Sequence, residues 1–252
     1  LKTTKILVLT LLLALGFTAS SNAQFYVKLG GGYGFLPLGG FQYDATPNDT
    51  IDDPTSKTLG QGIMPTLGLG YMFTKNISLE LNGYYLIGTK IDPSPGLKKL
   101  ETGETHTTQG MGIFFAPSLV VSTTLKSVKP YARMGLLIGM PQAKLEDTRV
   151  DEGTTYTEKT TLKGGIGIGL DAGLGLNITA SKKIDVFVEL FGNTINWRPK
   201  DSEITETNIP GHVTGTTTFA TGTGKYSAPT VPFGSFGGKV GVSIMFGKAP
   251  KK

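Results

Sequence analysis

The segment Gly164–Ile178, GGIGIGLDAGLGLNI, alternates without a break. Ile166, Ile168, Leu170, Ala172, Leu174, Leu176 and Ile178 occupy one parity; Gly165, Gly167, Gly169, Asp171, Gly173, Gly175 and Asn177 occupy the other. A period of two describes a β-strand with two different faces. A strand in a soluble sheet turns its apolar face to a core and shows Lys, Glu and Thr to water. Here the second face is mostly glycine, which packs nothing and weakens an ordinary strand. Glycine is useful where space is scarce, as inside a narrow closed barrel. The apolar face then points outward, and an outward apolar face on a closed barrel requires lipid. Gly167–Ala172 also fits the loose dinucleotide pattern G-x-G-x-x-A, but that motif needs a helix after its strand. The alternation continues to Ile178, so the segment reads as a strand and not as a nucleotide site.

The same period recurs along the chain. Apolar residues alternate near Phe25–Phe35, Ile63–Phe73, Ile77–Ile91, Gln109–Val121, Val128–Met140, from Ile184 onward, and near Phe236–Phe246. With the glycine-rich segment these make eight strands, each long enough for a tilted crossing of ~9–11 residues. Glycine supplies 36 of the 252 residues, about twice its usual ~7% share. Pro65 and Pro117 fall inside strands two and four, and because proline removes a ladder donor each is expected to mark a bulge or a rim.

Connections alternate in length. Thr74–Asn76, Ser122–Ser127 and Thr179–Lys183 are short; Pro37–Gln61, Asp92–Thr108, Gln142–Lys163 and Pro199–Gly234 are long. Charge follows the same division. The long connections are net acidic, whereas the short turns carry Lys75, Lys126, Lys182 and Lys183, and Lys248, Lys251 and Lys252 follow the last strand. Aromatics fall near both ends of the apolar band: Phe25, Tyr71, Phe73 and Phe246 at one, Tyr33, Phe35 and Phe236 at the other. Short turns inside, long loops outside and aromatic girdles are the pattern of bacterial outer-membrane barrels. At the N-terminus, Lys2 and Lys5 precede the apolar run Ile6–Phe17, and Ser21-Asn22-Ala23 offers a small-residue cleavage site. Residues 1–23 therefore read as a secretory signal peptide, 24–247 as the barrel, and 248–252 as a basic periplasmic tail.

These features resemble the small eight-stranded outer-membrane barrels of the OmpA/OmpX type, over Gln24 to about Phe246. The resemblance rests on the architecture, the glycine-rich lumen face and a last strand ending in an aromatic, VGVSIMF. It implies an antiparallel eight-stranded transmembrane β-barrel in the bacterial outer membrane, embedded among lipids and lipopolysaccharide. It also implies a terminal strand read by barrel-assembly machinery, although GKAPKK after Phe246 departs from that signal. The chain is expected to be a barrel alone, without a periplasmic domain.

Six charged residues fall on the inward parity of six strands: Lys28, Glu80, Arg133, Asp171, Glu189 and Lys239. Buried charges persist when paired and hydrogen-bonded, so a narrow lumen is expected to force them into a network. Counting from the inner rim suggests a lower group of Lys28, Glu80, Arg133 and Glu189 and an upper pair, Asp171 with Lys239. The leading reading of the network is a polar plug that holds the barrel rigid; a gated conduction path through the same residues is the alternative.

Catalytic chemistry has little to rest on. Cysteine is absent, and the two histidines, His106 and His212, fall in long connections and read as solvated. Asp44, Asp49, Asp52 and Asp53 lack the spacing of a Ca²⁺ loop. Asn48, Asn76 and Asn177 head chance N-x-S/T sequons. No catalytic, cofactor or metal site is expected, and no basic patch interleaved with aromatics points to nucleic acid. The last two long connections are rich in threonine, TRVDEGTTYTEKTTLK and TGTTTFATGTGKY. Threonine favours strands, so the barrel is expected to extend beyond the membrane as hairpins able to meet an unidentified extracellular partner. The leading reading is a non-enzymatic surface protein anchored by its barrel. A small passive pore and a lipid-modifying enzyme are the alternatives.

Overall fold

The computed structural model describes residues 24–38, 58–91, 105–123, 125–219 and 228–247. The expected signal peptide, the basic tail and the aspartates of the first long connection lie outside them. The described elements are all strands: β1 (Gln24–Pro37), β2 (Gly62–Met72), β3 (Ile77–Ile91), β4 (Thr105–Ser122), β5 (Val128–Asp151), β6 (Thr154–Lys163), β7 (Gly167–Thr179), β8 (Ile184–Trp197), β9 (Asp201–Thr207), β10 (Gly215–Thr218), β11 (Val231–Pro232) and β12 (Ser235–Phe246).

Eight of them close antiparallel in the order β1-β2-β3-β4-β5-β7-β8-β12, with β12 returning to β1. Following paired residues once round from Gln24, through Met72, Ser78, Val120, Arg133, Gly173, Phe191 and Gly237, ends at Gly34, ten residues further along β1. A stagger of ten over eight strands corresponds to a tilt of about 40°. The exposed apolar band on β3 runs from Ile77 to Ile87. At that tilt it stands about 25 Å tall, the height of a barrel's lipid-facing band. Phe25, Tyr71 and Phe73 form one aromatic rim, with successive ring centroids 4.9 Å apart. Phe35 and Phe236 meet at the other, 6.0 Å apart.

The prolines do not shift the register. Pro65 faces Gly31, and β2 pairs with β3 in one register on both sides of it, at Ile63↔Ile87 and Thr66↔Tyr84. Pro117 faces Leu81, and β4–β5 likewise resumes unshifted at Ser118↔Gly135. Each proline removes ladder bonds locally, and the neighbouring pairs hold the alignment. The shifts of register occur elsewhere, between Gly34 and Leu36, Ile87 and Lys90, and Lys159 and Thr160.

The lumen is filled in two layers. Towards the periplasmic turns it is polar and charged. Towards the long connections it is apolar, with Met64, Leu86, Phe114, Leu137, Ile195 and Trp197 all inward and buried. Two connecting segments turn down into this layer. Leu59 N–H donates to Pro232 O at 3.1 Å, and Thr58 Oγ donates to the same carbonyl at 2.9 Å. Phe233 N–H donates to Ile195 O at 2.8 Å, so the Phe233 ring lies 5.8 Å from Trp197 and 6.2 Å from Phe114. The Trp197 indole N–H finds Gly164 O at 2.8 Å, as a buried indole requires. Leu59 and Phe233 thus cap the lumen from within connections that the sequence marks as loops.

The third long connection is not a loop. β5 runs through it to Asp151 and returns as β6 across Glu152 and Gly153 (φ 48° and 81°). Positive φ at both central residues gives the turn whose twist suits a two-residue hairpin. β9 pairs with β6 and β10 with β9, so a sheet stands above the membrane on the extended barrel wall.

Candidate functional site

The charged layer is built from inward positions of neighbouring strands, and Lys28, Glu80, Arg133, Asp171, Glu189 and Lys239 are all buried in it. Lys28 Nζ lies 2.8 Å from Glu80 Oε2. The other bonds of Glu80 come from the Tyr26 hydroxyl at 2.8 Å and the Asn82 amide at 2.6 Å. Arg133 binds Glu189 in a fork, Nε to Oε2 and Nη2 to Oε1, both at 2.9 Å. Its remaining Nη1 reaches Asp171. Tyr131 donates to Glu189 at 3.0 Å, and Lys239 Nζ lies 3.7 Å from Glu189 Oε1. The expected upper pair of Asp171 with Lys239 does not form: Asp171 takes Arg133, and Lys239 takes Glu189. A planar five-donor guanidinium can serve two carboxylates at once, which an ammonium cannot do in the same geometry.

Aromatic faces complete the layer. The Lys28 ammonium sits 4.4 Å from the Tyr131 ring centroid, and that of Lys239 sits 4.4 Å from Phe191, each a cation–π contact of a buried ammonium. The inward glycines make the room. A Cβ on Gly70 would fall into the Tyr26 ring, and one on Gly175 would lie 2.5 Å from Tyr131. A Cβ on Gly173 would stand 2.8 Å from the Glu189 carboxyl carbon. Each long polar side chain thus crosses the bare backbone of the neighbouring strand.

A second constellation lies on the extracellular sheet. Lys90 meets Glu146 at 3.1 Å, Glu146 stands opposite Lys159, and Lys159 meets Glu206 at 2.6 Å. Lys163 meets Glu203 as well. The Lys159 ammonium is held above its ordinary pKa by the hydrogen bond and charge of Glu206. Asp147 stands opposite Glu158, like charges that repel when directly paired. Each is joined by a histidine: His106 Nδ1 to Asp147 at 2.6 Å, and His212 Nδ1 to Glu158 at 2.7 Å. The two histidines are therefore not free in solvent, and nothing in the sequence near either one names its partner. Among the described residues no group of three or more His, Asp or Glu is arranged to hold a metal ion.

A closed antiparallel barrel with an apolar outer belt, two aromatic rims and a charge-filled lumen defines a transmembrane β-barrel of the bacterial outer membrane. The chain belongs to the outer membrane protein beta-barrel domain family, whose model matches residues 6–190. No curated protein matches it in sequence. Among solved structures, a major outer membrane protein from Thermus thermophilus is similar at 11% identity, with 89% of this chain and 99% of that chain covered and a TM-score of 0.53. Neisserial surface protein A is similar at 12% identity over 89% and 96%, with a TM-score of 0.39. The outer membrane protease OmpT of Escherichia coli is similar at 10% identity over 91% and 98%, with a TM-score of 0.33.

Proposed function

We propose that the barrel is a non-enzymatic membrane anchor and that the extracellular strands form its interaction surface. The observation that carries this reading is the contrast between the two ends. The lumen is filled by a charged layer and an apolar layer, whereas β5 and β6 rise into a sheet that ends in the short, exposed edge strand β10. An edge strand presents unpaired backbone groups to a partner. Threonine-rich strands suit this role because they hold extended structure without an apolar surface of their own.

The test compares cells displaying the full chain with cells displaying a barrel whose residues 144–161 are replaced by a short turn. Binding is scored on immobilised proteins and glycans, with surface expression matched. The reading expects ligands retained by the full chain to be lost on trimming. Equal binding by both would contradict it. A catalytic reading would draw on the pairs His106–Asp147 and His212–Glu158, and it would predict turnover of a lipid or peptide that is lost in His106→Ala or His212→Ala.

A further inference from the structure

Below the charged layer the barrel opens toward the periplasmic turns as a cup of about 260 Å³. It ends inside at Tyr26 and Lys28, and its mouth is formed by the turns that carry Lys75 and Lys182. Four cations line it, Lys28, Lys75, Lys129 and Lys182, against one carboxylate, Asp185. Lys28 is matched by Glu80, and Lys129 by Asp185 at 2.8 Å. Among the described residues Lys75 and Lys182 have no ion-pair partner. The cup therefore carries excess positive charge in a partly enclosed space, where charge acts more strongly than on an open surface.

Two buried polar atoms in this cup have no hydrogen-bond partner: Ser243 Oγ and Asn177 Oδ1. Ser243 is 1% exposed and stands between Lys28 on β1 and Asp185 on β8 in the pairing register. Asn177 stands opposite Lys129. An orphaned buried polar group is costly and calls for a partner. The Ser243 hydroxyl can donate, whereas Asn177 Oδ1 can only accept. We propose that the cup binds a phosphoryl anion, with hydrogen phosphate as the species that fits. Its anionic oxygens accept from Ser243 and the lysines, and its remaining P–OH donates to Asn177. Sulfate and a phosphodiester carry the charge but lack that proton. The volume holds the anion with several waters, each of which takes ~30 Å³.

Phosphoryl oxygens reach this mouth from two sources, free phosphate and the headgroups of the inner leaflet. The test follows backbone amide resonances of the full chain in detergent micelles at neutral pH. Inorganic phosphate, sulfate and a soluble short-chain phosphatidylglycerol are titrated separately. The proposal expects saturable shifts at Asn177, Ser243 and Lys129 with phosphate. It expects binding at least tenfold weaker for sulfate and for the lipid. Ser243→Ala is expected to weaken phosphate binding at least tenfold, and Lys182→Gln, in an exposed turn where folding is not at stake, severalfold. The proposal is overturned by unsaturable shifts, by binding that Ser243→Ala leaves unchanged, or by equal affinity for sulfate. Tighter binding of the lipid would overturn the assignment to hydrogen phosphate.

Discussion

At the scale of residues, glycine and charge have to be read together. The inward glycines are the floors of slots through which Tyr26, Tyr131 and Glu189 cross the lumen. Gly70→Ala is expected to displace the Tyr26 ring, break its bond to Glu80 and cost about 1–3 kcal/mol, the usual range for overpacking. Urea unfolding in lipid vesicles measures this, and an unchanged midpoint would contradict the slot. The charge layer makes a second prediction. Removing Glu80 alone strands Lys28 and is expected to cost about 3–5 kcal/mol, while replacing both with apolar residues costs much less. A double-mutant cycle on Lys28 and Glu80 should show coupling well above the ~0–1 kcal/mol of exposed pairs, and additive single effects would contradict a buried, closely coupled pair. The six charges themselves were legible, because period two assigns each side chain to a face. Their partners were not: heights depend on stagger between strands, and a guanidinium at Arg133 can reach both Glu189 and Asp171.

At the scale of elements, outward apolar parity was the stronger signal and marked every barrel strand. It breaks down along the upper lumen, and also at single lower-lumen positions such as Val120 and Phe187. In Tyr84-Tyr85-Leu86-Ile87, Phe114-Phe115 and Leu136-Leu137-Ile138 both parities are apolar, and that loss of alternation is the mark of an apolar interior. Leu59 and Phe233 carried no such mark, since each lies in a connection whose path is set by tertiary bonds to Pro232 and Ile195. Pro65 and Pro117 leave their registers unshifted for a simple reason. A missing donor interrupts one ladder step, and a register shift needs an extra residue besides. A hairpin beyond the membrane was legible from the threonine-rich composition, and the β5–β6 turn, Glu152-Gly153, is the local chemistry that closes it. Because this hairpin packs above the membrane, replacing residues 144–161 by a short turn is expected to leave the barrel folded. Unheated and heated samples of the trimmed protein should still migrate differently on a gel, and loss of that difference would mean that the extension is part of the folding core.

At the scale of the whole molecule, closure satisfies the backbone where lipid cannot, and the two lumen layers make the barrel a packed body. The folded protein is expected to stay folded in detergent until boiled, with a β-type circular dichroism spectrum throughout; substantial helix would contradict the fold. The same packing separates an anchor from a pore. Lys28, Glu80, Arg133 and Glu189 block the lower lumen, and Trp197, Phe114, Phe233 and Leu59 block the upper one. The direct measurement is current through purified full-length protein in a planar bilayer. A plugged barrel gives no steady open level at any salt concentration, beyond brief and small events. A stable conductance that scales with salt would mean that the lumen is continuous water and would contradict the anchor reading.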